Sequence, residues 1–283
     1  MSDTKRSGAL RARPEHAPEP KRMNGHRRRA DAPVAVLAHE TTRANPIALL
    51  AALRTFAAGR VRRGRDRWEP VPEIVTALDA AFHAALRAVE PTGRRTLVAL
   101  DVSESMAWGE VAGVPGLTPR DAAAAMALAT AATEPRHEIV GFHAGGWFRD
   151  RGRHRHAGIP DGLTRVAVSA GDHIDDVVDA TDGLPFGATD CALPMLYAQA
   201  LEREVDTFVV YTDAETEVGD MHPVQALRDY RQASGIDARL AVVGMASSGF
   251  SIADPADAGM LDVAGFDTAT PQRVAAFARG ESG

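Results

Sequence analysis

From residue 96 onward, unbroken apolar runs alternate with stretches in which apolar residues recur every three or four positions. Runs such as Thr96-Leu97-Val98-Ala99-Leu100 and Thr207-Phe208-Val209-Val210-Tyr211 lack the polar alternation of a half-wet strand. They read as strands buried on both faces, the kind found in parallel sheets. On this basis strands are expected near 96–101, 137–143, 164–168, 206–212 and 239–244, with a weaker one near 261–265. Helical spacing predicts helices near 119–133, 172–181, 191–203, 222–234 and 271–279. Repeated strand–helix alternation implies an α/β fold, a mostly parallel central sheet with helices on both faces.

The chain ahead of this pattern differs in character. Asn45-Pro46, followed by Ile47, Leu49, Leu50, Leu53 and Phe56, predicts a helix with Pro in its first turn. A second amphipathic helix is expected from Pro72 to about Val89, with Ile74, Leu78, Ala81, Phe82, Leu86 and Val89 on one face. Two such helices form a hairpin whose apolar faces must dock on something. Their connection packs five arginines, Arg60, Arg62, Arg63, Arg65 and Arg67, into eight residues. Arginines so close repel one another unless they meet anions, which makes them candidates for phosphate or RNA contact, a solvated loop being the plain alternative. Three regions follow: a basic tail over 1–41, a helical hairpin over 42–92 and the α/β domain over 93–283.

Charge sharpens this division. The net charge is −6, yet residues 1–30 hold nine Lys or Arg against three acidic residues, so the remainder is strongly acidic. A tail rich in Arg, Pro and polar residues cannot bury enough apolar surface to fold alone, and is expected to be disordered. It reads either as an electrostatic arm for RNA or as an unstructured extension. A single cysteine, no secretory leader and no apolar run long enough to span a bilayer fit a cytoplasmic protein without a membrane partner.

Candidate chemistry gathers at strand ends. The first buried strand stops at Asp101, and Ser103 and Ser105 follow at alternate positions. Thr189 lies in a loop leading to a helical stretch, and a later buried strand ends at Asp213. In an open α/β sheet these points meet at the carboxyl edge, where ligands bind. Two carboxylates and three hydroxyls offer hard oxygen ligands suited to Mg²⁺, or another divalent cation such as Mn²⁺. Glu104 stands between the serines and, if the strand's alternation continues, points away. No Gly-x-Gly-x-x-Gly, phosphate-binding P-loop or Gly-x-Ser-x-Gly elbow occurs, so dinucleotide, P-loop nucleotide and hydrolase-triad readings are unsupported.

Asp-x-Ser-x-Ser, then Thr, then Asp resembles the metal-ion-dependent adhesion site (MIDAS) of von Willebrand factor A domains. The resemblance narrows along Thr189-Asp190-Cys191-Ala192-Leu193-Pro194-Met195, Phe208–Thr216, His222-Pro223, Ala226–Arg231, Gly249–Pro255, Gly259–Asp262 and Gly265–Thr268. These stretches are similar to the C-terminal half of the Ro autoantigen family, the TROVE-module RNA-binding proteins of small noncoding Y RNAs. The resemblance implies a Rossmann-like A domain preceded by the last helix pair of that family's helical ring. It also implies a metal at Asp101, Ser103, Ser105, Thr189 and Asp213, with one coordination position free for a partner's carboxylate or for water. The rest of the ring is expected to be absent, so Y RNA binding is not carried over, and a separately encoded ring protein becomes a possible partner.

Other chemistry is weaker. A magnesium-dependent phosphatase-like enzyme would need an Asp at position 103 and a later Lys, whereas Ser103 stands there and no Lys follows Lys21. Cys191 with His222 suggests a nucleophile, but a lone Cys in a Leu-Pro-Met context reads as a core residue. His143, His154 and His156 suggest zinc, although arginines crowd residues 149–155 and disfavour a dication. The sequence therefore points to a non-catalytic binding protein. Its partner is either a protein that presents an acidic residue to the metal, or RNA held by the tail and Arg-rich loops.

Overall fold

The computed structural model describes residues 44–60, 65–111, 114–143, 162–184, 187–213, 219–246 and 252–281. The basic tail lies outside these residues, as do Arg62, Arg63, His154, His156 and the arginines of 149–155. Two helices come first, α1 (Pro46–Ala57) and α2 (Pro72–Arg87). The α/β part then runs β1 (Thr96–Asp101), α3 (Pro119–Thr133), β2 (His137–Phe142), β3 (Leu163–Arg165), α4 (Ile174–Asp182), α5 (Leu193–Ala200) and β4 (Thr207–Thr212). It closes with α6 (Pro223–Ser234), β5 (Arg239–Gly244), β6 (Met260–Ala264) and α7 (Thr270–Arg279).

The six strands form one sheet in the order β3-β2-β1-β4-β5-β6. All neighbours are parallel except β3, a three-residue strand antiparallel to β2. The expected strand at 164–168 is thus shorter and begins one residue earlier. Alternation along β1 divides the core: Val98 and Leu100 join the layer that includes α3 residues, and Leu97 and Ala99 join the layer that includes α5 and α6 residues. β1 and β4 are buried at every residue, as their uniform apolar runs require.

α3 owes its position to small side chains. Its sequence is dominated by alanine, ten of its residues are buried, and between Ala122 and Ala129 it has no polar side chain. A helix apolar all round belongs inside a core. It begins in a capping box: the Thr118 hydroxyl accepts from the Asp121 N–H at 3.0 Å, and the Asp121 carboxylate accepts from the Thr118 N–H at 3.2 Å. Ile47, Leu50 and Leu53 of α1 and Phe82 and Leu86 of α2 are buried in the same cluster as α3 and Val98. The hairpin therefore shares the core of the sheet. Ile74, expected on the buried face of α2, is 44% exposed, and its neighbour Val75 packs against the cluster from that first turn.

Candidate metal centre

β1 and β4 are the adjacent pair from which the sheet grows in both directions, through β2 and β3 on one side and β5 and β6 on the other. Connections diverge from such a switch point and leave a crevice at the carboxyl ends of the strands. Asp101 is the last residue of β1, and Asp213 directly follows the last residue of β4. After Asp101 the chain does not continue the alternation of a strand. Ser103 instead precedes a short 3-10 helix, Glu104–Ala107, which leaves Glu104 and Ser105 exposed and Ser103 buried.

Asp101 is 2% exposed and its carboxylate is engaged at three points. Oδ1 accepts from the Ser103 N–H at 2.8 Å. Oδ2 accepts from the Thr189 hydroxyl at 2.9 Å and from the Thr212 hydroxyl at 2.7 Å. The Ser103 and Ser105 hydroxyl oxygens lie 3.0 Å apart, and Ser105 hydrogen-bonds Asp213. The five predicted residues thus form one connected cluster. Asp213 Oδ1 stands out in it, being buried without a hydrogen-bond partner among the described residues. Burial pushes the Asp213 carboxyl above its ordinary range; the Ser105 hydrogen bond pulls it down and the charge of Asp101 adds to the push.

This donor set fits a small hard cation. All five side chains offer oxygen, two of them ionisable, and a thiolate or imidazole is not among them. Thr189 directs its proton at Asp101, which ties this hydroxyl to the cluster. An orphaned carboxylate oxygen in such a cluster is costly without a counter-charge.

Two residues without a signature in the sequence complete the arrangement. Thr212 is fully buried and holds Asp101, yet a Thr at a strand end signals little beyond β propensity. Arg120, in the first turn of α3, donates to the Ser103 carbonyl at 3.0 Å and ion-pairs with Asp182. Burial lowers its pKa, against the nearby Asp101, Asp121 and Glu104. It pins the loop that carries the serines. Trp108, directly after the 3-10 helix, is 67% exposed and places a large apolar surface next to that loop.

The other candidates lie elsewhere. Arg60 and Arg67 face each other in an antiparallel bridge, and both are exposed together with Arg65. Trp68 anchors this closure: its backbone N–H donates to the Gly59 carbonyl at 2.9 Å, and its ring stacks on Phe56 at 6.0 Å between centroids. Gly59 is needed there, because its φ is +64° and a Cβ would stand 2.7 Å from the Trp68 carbonyl oxygen. Cys191 is fully buried in the core layer of α5 and α6. His222 caps α6, its Nδ1 accepting from the Val224 N–H at 3.3 Å.

A mostly parallel sheet whose two central strands end in an acidic and hydroxylic cluster is the architecture of a von Willebrand factor A-type domain. Residues 95–278 match the family model described as the Ro60 vWA domain, and the chain belongs to that family. It is 45% identical over 239 residues to the RNA-binding protein RO60 of Deinococcus radiodurans, covering 84% of this chain and 42% of the relative. It is 40% identical over 241 residues to the RNA-binding protein RO60 of Caenorhabditis elegans, covering 85% of this chain and 34% of that protein. The crystal structure of the Deinococcus radiodurans RO (RSR) protein superposes with a TM-score of 0.75 at 40% identity, over 90% of this chain and 49% of the other. The chain thus spans less than half the length of these proteins. Both relatives are named as RNA-binding proteins rather than as enzymes.

Proposed function

We propose that this chain is a non-catalytic binding module of the Ro60 type that engages a protein partner through a divalent cation. Asp101, Ser103, Ser105, Thr189 and Asp213 would hold the ion, Mg²⁺ or Mn²⁺. The observation that carries this reading is Asp213 Oδ1, buried without a hydrogen-bond partner among the described residues, beside three hydroxyls and a second carboxylate. The ion would supply positive charge to two close carboxylates and an open coordination position for a carboxylate oxygen of the partner. Thr212 and the Ser103 N–H fix the Asp101 carboxylate. Arg120 holds the loop, and Trp108 offers apolar contact beside it. The partner then carries an exposed Asp or Glu flanked by apolar side chains.

The ion itself is the probe for the first test. Calorimetric titration of the EDTA-stripped full chain with Mg²⁺ or Mn²⁺ should show one site, and Asp213→Ala should abolish it. Equal binding by the wild type and Asp213→Ala would overturn the assignment. Magnesium-dependent hydrolysis of a phosphate ester, lost on Asp101→Asn, would overturn the non-catalytic part.

A second reading rests on a different observation. Arg60, Arg65 and Arg67 are exposed on one short closure, and the curated relatives are named for RNA binding. This surface would hold the phosphates of a small noncoding RNA while the cation site holds a protein. Replacing all three by Ala should weaken binding of single-stranded RNA and flatten its salt dependence by about one slope unit per lost phosphate contact. An unchanged slope would remove the loop from the RNA interface.

A further inference from the structure

A second group of metal-ligating side chains lies where the hairpin meets the α/β part, away from the strand ends. Asp79 and His83 are one turn apart on the same face of α2, with Asp79 Oδ1 3.8 Å from His83 Nε2. His173, immediately before α4, places Nδ1 3.3 Å from Asp79 Oδ2. One ligand atom from each residue can be chosen so that all three lie within 4.8 Å of one another. The two imidazole rings are nearly perpendicular, at 86°, with centroids 6.1 Å apart.

The arrangement is short of a partner. His83 Nε2 is buried without a hydrogen bond among the described residues and lies 3.8 Å from Asp79 Oδ1, so an imidazole nitrogen faces the cluster unsatisfied.

From this geometry we propose that Asp79, His83 and His173 form a site for a zinc-type divalent transition ion, distinct from the strand-end cluster. Two imidazole nitrogens with one carboxylate suit zinc and its neighbours, whereas magnesium prefers all-oxygen surroundings. In a tetrahedral zinc site the ligand atoms stand roughly 3.3 Å apart, from Zn–N and Zn–O bonds of about 2.0–2.1 Å. The three donors lie within 4.8 Å of one another, the closest pair already at 3.3 Å. His173 is 68% exposed, so the fourth position opens to water. The ion would join α2 to the start of α4, along the seam that Arg54 of α1 already crosses by pairing with Asp121 and Asp175.

The full chain is stripped with EDTA and dialysed against micromolar Zn²⁺ in the presence of millimolar Mg²⁺. Zinc content and the thermal midpoint are then measured for the wild type, His173→Ala, Asp79→Asn and Asp101→Asn. His173→Ala alters an exposed side chain and Asp79→Asn keeps the side-chain shape, so both keep the fold. The proposal expects the wild type and Asp101→Asn to retain one more equivalent of zinc than His173→Ala or Asp79→Asn. It also expects zinc to raise the midpoint only in the first pair. Equal zinc content in all four proteins, or an equivalent lost in Asp101→Asn instead, overturns it.

Discussion

The Asp101 carboxylate keeps a fixed orientation only while its oxygens have donors, and two of its three donors are threonine hydroxyls. Thr212→Val removes one hydroxyl and preserves shape. It leaves Oδ2 with Thr189 alone among the described residues and should cost about 1–3 kcal/mol of stability. The same change should weaken Mg²⁺ roughly 10- to 100-fold, the usual effect of losing an outer-shell partner. Chemical denaturation and calorimetry read the two effects, and a variant normal in both would show that Thr212 does not position the site. The five cluster residues were legible because carboxyl and hydroxyl types stand where buried apolar runs stop. Thr212 was not, since a buried strand-end Thr has the same sequence signal whether or not it holds a carboxylate. Arg120 was hidden for another reason: a cation in the first turn opposes the helix dipole and gives no hint of burial.

At the scale of elements, α3 is the contact on which the hairpin depends. Its alanines leave a shallow surface, and the larger side chains Leu50, Phe82 and Leu86 fill the space above it. Leu50→Ala should cost roughly 2–5 kcal/mol, because a fully buried leucine leaves a cavity that closes only in part. The loss should lower the midpoint of a single transition, since hairpin and sheet share one cluster; a separate early transition would show that they unfold independently. The helical periods of α1 and α2 were readable, whereas their docking surface was not, because periodicity identifies a face and not its partner. The direction of β3 was readable in principle. A parallel neighbour of β2 needs a crossover, and the amino-acid sequence between Phe142 and Leu163 shows no apolar period of a helix.

For the whole molecule, charge divides along the chain. The net charge of −6 conceals a basic beginning and an acidic remainder, and the exposed arginines of the hairpin closure are a local exception to that acidity. A carboxylate-bearing partner meeting this remainder is repelled at long range and needs a local positive charge to dock, which the proposed cation would supply. The overall sheet was legible because short, uniformly apolar runs bounded by polar turns suit strands covered on both faces and little else. One buried residue has a practical consequence. Cys191 is the sole thiol of the chain and lies fully enclosed, two positions from Thr189. An alkylating reagent therefore reaches it only when this layer opens, so the rate of modification counts opening events from beneath the strand ends. The unaltered protein thus carries its own clock for local breathing, slowed by any ligand that binds only the closed form.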